Sequence, residues 1–404
     1  MKKTIERRPL ALTLAALVAA GCGDLLEVTN PGPIADEALN TPAAMQALVT
    51  GMSADLSVAV STTSIWGSVW SDDLTHSGTL GAPSVFARGT ITPQEVNPWW
   101  GEAHRARWVA ENGIERMKKV MGAEFDTSPL AARAYLLAGF ANRLLGENVC
   151  EAVFDGGPAE PAVRHFERAE QQFTEALRIA EAANEATLRY AALAGRASVR
   201  AAQGNWSGAV ADAAEVPASF RYDAIYSLNT ARESNGWIPV TITRGEYTVW
   251  GTQWENANDP RVPSQPVRDA QGNIRPAANG STPWIRQQKY LDNGAEIALA
   301  KGTEMLLLRA EAALRQGDVP GAMSLINQAR AVHGLPALSA TTEAEAWPIL
   351  HRERGAELWL EGRRFWDLRR WYEETGPAHH DFLAGRDRCV PISENERLSN
   401  RNLS

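Results

Sequence analysis

Cysteine is scarce. Cys22, Cys150 and Cys389 are the only 3 in 404 residues, and none forms a CxxC pair, which excludes a disulfide scaffold and a ribbon-type structural zinc site. Basic excess is missing as well. The 40 Lys and Arg against 48 Asp and Glu leave a formal net charge of −8, whereas a binder of the nucleic-acid backbone needs a basic face. A chain 44% hydrophobic and 22% charged is neither bulk-disordered nor a multispanning membrane protein.

Catalytic templates are also lacking. There is no HExxH, GxSxG, GxxxxGK[ST] or GxGxxG. Gly204-Asn205-Trp206-Ser207-Gly208 places its serine one position too late for a nucleophile elbow. His379-His380-Asp381 could ligate a metal, but adjacent imidazoles read as a solvated loop, so no metal or cofactor is expected. Asp72-Asp73 and Glu373-Glu374 are sequence neighbours whose side chains diverge, so neither pair can flank a glycosidic bond as acid and base. These absences lower the expectation of catalysis.

What is present begins with targeting. Lys2, Lys3, Arg7 and Arg8 precede an apolar run from Pro9 to Ala20, too short to span a bilayer but right for a signal peptide. Ala19-Ala20-Gly21-Cys22 resembles a bacterial lipobox, predicting a signal peptide over 1–21 and a lipid-anchored Cys22. Gly23 stands where an inner-membrane retention Asp would sit, which favours the outer membrane. Acidic Asp24 and Glu27 make acyl chains, not a basic patch, the anchor. In that oxidising setting Cys150 and Cys389 are either bridged or two separate buried thiols.

Helical periodicity then organises a single domain over 22–404. Thr41-Pro42 reads as a helix start ahead of Met45, Leu48, Val49, Met52 and Leu56, and helices are predicted near 99–121 and 130–145. Phe166, Ala169, Phe173, Ala176, Leu177 and Ala180 form another apolar stripe. Gly204-Asn205-Trp206-Ser207-Gly208-Ala209 and Gly317-Asp318-Val319-Pro320-Gly321-Ala322 resemble tetratricopeptide turns, and the helices between 130 and 183 could make a third pair. The fold expected is mostly α. Irregular segments are predicted near 61–98 and 218–300, the second rich in aromatics, with a hairpin over Ile238–Trp250.

Tryptophan is abundant, 14 copies against 7 Tyr and 9 Phe. Trp108, Trp206, Trp347, Trp359, Trp366 and Trp371 fall in helices or repeat turns and read as core. Trp66, Trp70, Trp99, Trp100, Trp237, Trp250, Trp254 and Trp284 fall in or beside irregular segments, where an indole can stack on a sugar or an aromatic ligand. The candidate ligand set is Trp66, Trp70, Trp99, Trp100 and Trp250, with Asp72 and Asp73 as acceptors.

The most specific stretch runs from Arg352 to Trp371. Glu353, Glu357 and Glu361 recur every four residues, and Arg354 and Arg364 are expected to answer them from adjacent turns, with a helix break near Gly362. This run resembles the C-terminal motif of the SusD/RagB family, ERxxEL followed by EGxRxxDLxRW. Cys22-Gly23-Asp24-Leu25-Leu26, Asp259-Pro260-Arg261, the segment Met305–Pro336 and Pro391-Ile392-Ser393-Glu394-Asn395-Glu396 resemble further family segments in the same order. The resemblance implies a SusD-like helical body with tetratricopeptide-type pairs, lying as a lid on a SusC-like TonB-dependent barrel. It implies capture of a glycan or peptide nutrient at the outer membrane without catalysis. The other reading is a tetratricopeptide-type lipoprotein scaffold for outer-membrane assembly, which would bind polypeptide.

Overall fold

The computed structural model describes residues 36–230, 232–375 and 381–403. The expected signal peptide, Cys22 and the His379-His380 pair lie outside the described residues. Residues Asp36–Leu39 form one 3-10 turn. The body is the unit Pro42–Ser404.

The body is built of helix pairs. Following a 3-10 turn at Pro42–Ala44 come α1 (Met45–Trp70), α2 (Gly81–Arg88), α3 (Asn97–Met121), α4 (Pro129–Asn148), α5 (Val163–Ala182), α6 (Ala186–Ala202) and α7 (Trp206–Ala214). Beyond the middle segment come α8 (Gly302–Leu314), α9 (Val319–Val332), α10 (Glu343–Glu357), α11 (Arg364–Thr375) and the short α12 (Glu394–Ser399). From α3 to α10 each helix packs on the next, α7 on α8 included. Both predicted repeat turns have one geometry. Gly204 and Gly317 take φ of 78° and 75°, and the Asn205 and Asp318 side chains accept the N–H of Gly208 and Gly321 to cap the helix that follows. The α4–α5 approach is close because Gly139 faces the Phe173 ring, where a Cβ would sit 2.7 Å away.

The strands are short. They are β1 (Thr75–His76), β2 (Glu151–Val153), β3 (Ala159–Pro161), β4 (Arg221–Ala224), β5 (Tyr247–Thr248), β6 (Ser264–Pro266), β7 (Ile285–Gln287) and β8 (Ile297–Lys301). They pair antiparallel as β1–β5, β2–β3, β4–β8 and β6–β7. The β4–β8 ladder decides the topology. It follows α7 and precedes α8, so it pins both ends of the long middle excursion and lets the helix stack resume.

Three expectations are corrected. The chain is not irregular from residue 61, because α1 runs on to Trp70 with a row of small residues (Ser57, Ser61, Ser64, Ser68) against its neighbours. Small hydroxyl residues had masked a buried helix; Ser64 and Ser68 satisfy their hydroxyls on carbonyls three residues back. Ile238–Thr243 is a π-helical turn, not half of a hairpin, and β5 pairs with β1 instead. Thr41 does not cap α1, which starts at Met45 without a side-chain cap. Pro42–Trp70 is long and apolar enough to cross a membrane, but its packing on α2, α3 and α4 makes it a core helix.

The tryptophans expected beside irregular segments are mostly core as well. Trp70, Trp99, Trp100, Trp237, Trp254 and Trp284 are buried, as are the expected core residues Trp359 and Trp371, whereas Trp108 on α3, also expected in the core, is 51% exposed. Trp70, Trp99 and Trp100 belong to helices α1 and α3; Trp237, Trp254 and Trp284 lie in the middle excursion, where irregular chain has no repeating apolar stripe and attaches through single large aromatic anchors. Three of their indole N–H groups find partners: Trp237 donates to Ser64 Oγ (3.0 Å), Trp99 to Thr63 Oγ1 (2.9 Å) and Trp70 to the Asp387 carbonyl (3.1 Å).

The remaining cysteines are joined. Cys150, just past α4, is disulfide-bonded to Cys389, and the Cys150 N–H donates to the Val390 carbonyl alongside (2.9 Å).

Candidate functional site

An open cleft of about 490 Å³ lies beyond the C-terminal end of α1. The helix stops there because Ser71 turns extended, and Asp72, Asp73 and Leu74 lead into β1. Pairing of β1 with β5 carries the 249–253 turn to the same place, where Thr75 Oγ1 donates to the Trp250 carbonyl (2.8 Å). The opposite lip is α2. The Glu246 carboxylate receives the N–H groups of Thr79 and Leu80 just before it, and Arg386 donates to the carbonyls of Phe86 and Ala87 at its end. Asp72, His76, Ser84, Arg88, Thr252 and Gln253 supply the polar lining.

Asp72 is held firmly. Arg364 Nε and Nη2 reach its two oxygens at 2.6 and 2.8 Å, and Gln253 Nε2 donates to the same carboxylate. Asp73 points the other way and is buried. Burial, reinforced by the neighbouring Asp72 charge, pushes its pKa up to about 8, so it is mostly protonated at neutral pH; one oxygen accepts the Leu360 N–H. Burial likewise holds His76 below the usual imidazole value, although Glu246 pulls the other way.

The residues nominated from sequence therefore separate. Asp72 lines the cleft; Trp250 is not itself a lining residue but directly precedes one, Gly251, and is 39% exposed. Trp66 is half-buried against Phe86 of α2. Trp70 stacks on Phe365 at 3.5 Å, Trp99 and Trp100 are core side chains of α3, and Asp73 is buried, so these four do not face a ligand. Trp70 and Asp73 were nominated on the expectation of an irregular segment near 61–98, and Trp99 and Trp100 as its neighbours, whereas Trp70 ends α1 and Trp99 and Trp100 open α3 facing the core. His76, Ser84, Arg88, Thr252 and Gln253 were missed. Arg88 and His76 lay in the stretch already suspected, but a search confined to aromatics and carboxylates passed over them. Arg386 and Phe382, also in the lining, come from the far end of the chain and gave no local signal.

A partly exposed indole beside one fixed acceptor and several neutral and cationic donors can stack on an apolar ring face and satisfy hydroxyls around it. Among the described residues, no group of three or more His, Cys, Asp and Glu could hold a metal ion.

Beneath this surface the motif helices form an ion lattice. The expected pairing is corrected: Arg354 and Arg364 do not answer the three glutamates. Arg261 and Arg330 pair with Glu353, Lys301 and His333 with Glu357, and Lys289 and Lys301 with Glu361. Arg354 instead grips Asp367 across the break, and Arg363 meets Glu147 and Glu304. Partners come from other elements because the glutamate stripe faces inward, where the excursion supplies Arg261, Lys289 and Lys301 and the end of α9 supplies Arg330 and His333. The break itself is as expected, with Leu360 and Gly362 at φ of 60° and 74°.

Residues 228–395, which hold this lattice, match the SusD family. The chain has the SusD fold. A SusD superfamily protein from Bacteroides thetaiotaomicron aligns at a TM-score of 0.69 and 15% identity, covering 90% of this chain and 98% of that one. A SusD-like carbohydrate binding protein from Bacteroides vulgatus aligns at 0.68 and 15% identity, covering 90% and 97%. A SusD superfamily protein, also from Bacteroides vulgatus, gives 0.67 and 16%, covering 90% and 98%. No curated protein matches the sequence. Within this SusD fold the family match spans the excursion and α8–α11; the Asp72 and α2 side of the cleft lies ahead of it.

Proposed function

We propose that this protein is a nutrient-binding lipoprotein of the cell surface. Cys22 carries the lipid, residues 22–404 act as one binding domain, and the cleft at Asp72 and Trp250 captures a glycan. The ligand is passed to a TonB-dependent outer-membrane barrel, and no bond is made or broken. The observation that carries this reading is the SusD match of 228–395 on a fold shared with a SusD-like carbohydrate binding protein. The cleft adds to it: Asp72, Arg88 and Gln253 offer hydrogen-bonding groups suited to a polyol, and the partly exposed Trp250, next to the lining residue Gly251, offers a stacking face at its edge.

Two measurements test it. Titration with a panel of soluble oligosaccharides should find a ligand whose binding Trp250→Ala removes, with no release of reducing ends. Turnover of any polysaccharide, or a panel with no binder, counts against it. Pull-down of the lipidated protein from its native membrane should recover a plugged barrel in stoichiometric amount. Recovery of outer-membrane assembly components would favour the scaffold reading instead.

A further inference from the structure

A second cleft lies elsewhere in the body, at the ion lattice. It holds about 430 Å³ between the Ala218–Arg221 turn, Pro260–Pro263, Gln288–Lys289, the β8–α8 junction, the end of α9 and the end of α10. That volume is in the range of small-molecule sites. Two motifs that carry the family resemblance meet there, since Pro260, Arg261, Glu357 and Glu361 all line it.

Its lining is mostly cationic, with Arg221, Arg261, Lys289 and Lys301 against Glu357 and Glu361. From behind the lining Asp223 pairs with Arg221, and Asp259 and Glu353 pair with Arg261. The carboxylates are already engaged. Glu357 receives Thr303 Oγ1 (2.6 Å), Lys301 Nζ (3.0 Å) and His333 Nε2 (2.8 Å), and Glu361 Oε1 receives both lysines (2.8 and 2.9 Å). Donors, by contrast, are left over. Arg261 Nη1 and Gln288 Nε2 are buried without a hydrogen-bond partner, and Glu357 Oε2 stands 3.8 Å from that Arg261 nitrogen, too far for a hydrogen bond. Lys289 Nζ spends two of its three N–H bonds, on the Trp359 carbonyl (2.6 Å) and Glu361. An unmade buried hydrogen bond is costly, so these two donors mark a local deficit of acceptors at the cleft. Phe220, Pro263 and the 50%-exposed Val332 add apolar walls near the mouth.

We infer that this cleft is a second ligand site, taking a small molecule that bears a carboxylate, of about monosaccharide size. A carboxylate supplies two charged acceptors to donors that lack them, and cation-lined walls of low polarity concentrate such an anion. The carboxylate belongs either to an acidic sugar or to the C-terminus of a short peptide. This site is independent of the glycan reading of the Asp72 cleft.

The test is titration of the full folded domain with sodium glucuronate, methyl glucoside and N-acetylglycine, by calorimetry at low and at high salt. Glucuronate, N-acetylglycine or both should bind, more weakly as salt rises, and methyl glucoside should not. Which carboxylate binds more tightly identifies its source. Val332→Trp fills the mouth without removing an ion pair and should weaken binding at least about tenfold. Arg221→Gln, at a side chain 46% exposed, should weaken it several-fold with the fold retained by circular dichroism. Trp250→Ala, in the other cleft, should leave this binding unchanged. Failure of both carboxylates to bind, binding that survives Val332→Trp, or binding lost in Trp250→Ala would overturn the assignment.

Discussion

The Arg364 guanidinium holds the Asp72 carboxylate on two nitrogens, at 2.6 and 2.8 Å, across 292 positions of sequence. It joins the last helix of the C-terminal motif to the lip of the candidate glycan cleft, so the scaffold and the site share one contact. Arg364 is 2% exposed and also donates to the His351 carbonyl. Arg364→Gln is therefore expected to lower stability by about 3 kcal/mol and to weaken glycan binding. Urea denaturation and ligand titration of the same variant measure the two losses; a variant stable as wild type would show that the pair contributes nothing.

Trp70 and Trp250 separate packing from contact. Trp70 is 1% exposed, so Trp70→Ala should cost about 3–5 kcal/mol through the cavity it leaves. Trp250→Ala should cost about 1 kcal/mol or less yet reduce glycan affinity about tenfold. Denaturant midpoints and calorimetry on the two variants give the comparison, and equal stability losses would contradict the assignment.

Asp73 makes stability fall as pH rises. Its folded pKa, about 8, lies above the ordinary aspartate value, so the folded state keeps a proton that the unfolded chain gives up near pH 4. The resulting stabilisation is complete below about pH 4 and is lost as pH climbs to about 8. Asp73→Asn should remove that slope and become the more stable protein above pH 8. Melting temperatures of both proteins from pH 4 to 9 decide it; parallel curves would mean Asp73 is ionised throughout.

The disulfide between Cys150 and Cys389 closes a loop of sequence separation 239. Its reduction, or Cys389→Ser, is expected to cost about 2–4 kcal/mol, chiefly by freeing the unfolded chain. Calorimetric scans with and without reductant check this, and Cys150→Ser should give the same loss with no further effect of reductant.

Gly362 sits at φ 74°, and a Cβ there would lie 3.2 Å from the Ser64 backbone of α1. Gly362→Ala should destabilise by about 1–3 kcal/mol, from backbone strain together with this contact. A denaturation midpoint unchanged from wild type would show that α1 can yield.

Much of the helical body is legible because its determinants are local. The stripe from Phe166 to Ala180 and the two turns at Gly204 and Gly317 each lie within a few helical turns, and periodicity, a left-handed glycine and an Asn or Asp cap need no distant partner. The serine-rich half of α1 was missed for the complementary reason. Hydroxyl residues weaken the apolar signal even where they pack inside, and only the neighbouring helices show that they do.

The sequence by itself determined a mostly helical SusD-like chain, its repeat turns, the break at Gly362 and the acidic stripe of Glu353, Glu357 and Glu361. Tertiary structure alone decided what those residues meet. It gave the glutamates to cations from the middle excursion and the end of α9, buried Trp70, Trp99 and Trp100, left Trp250 at the surface, and brought Cys150 to Cys389. A charge or an indole has no preferred partner until folding sets which surfaces lose water, and that depends on segments hundreds of residues apart.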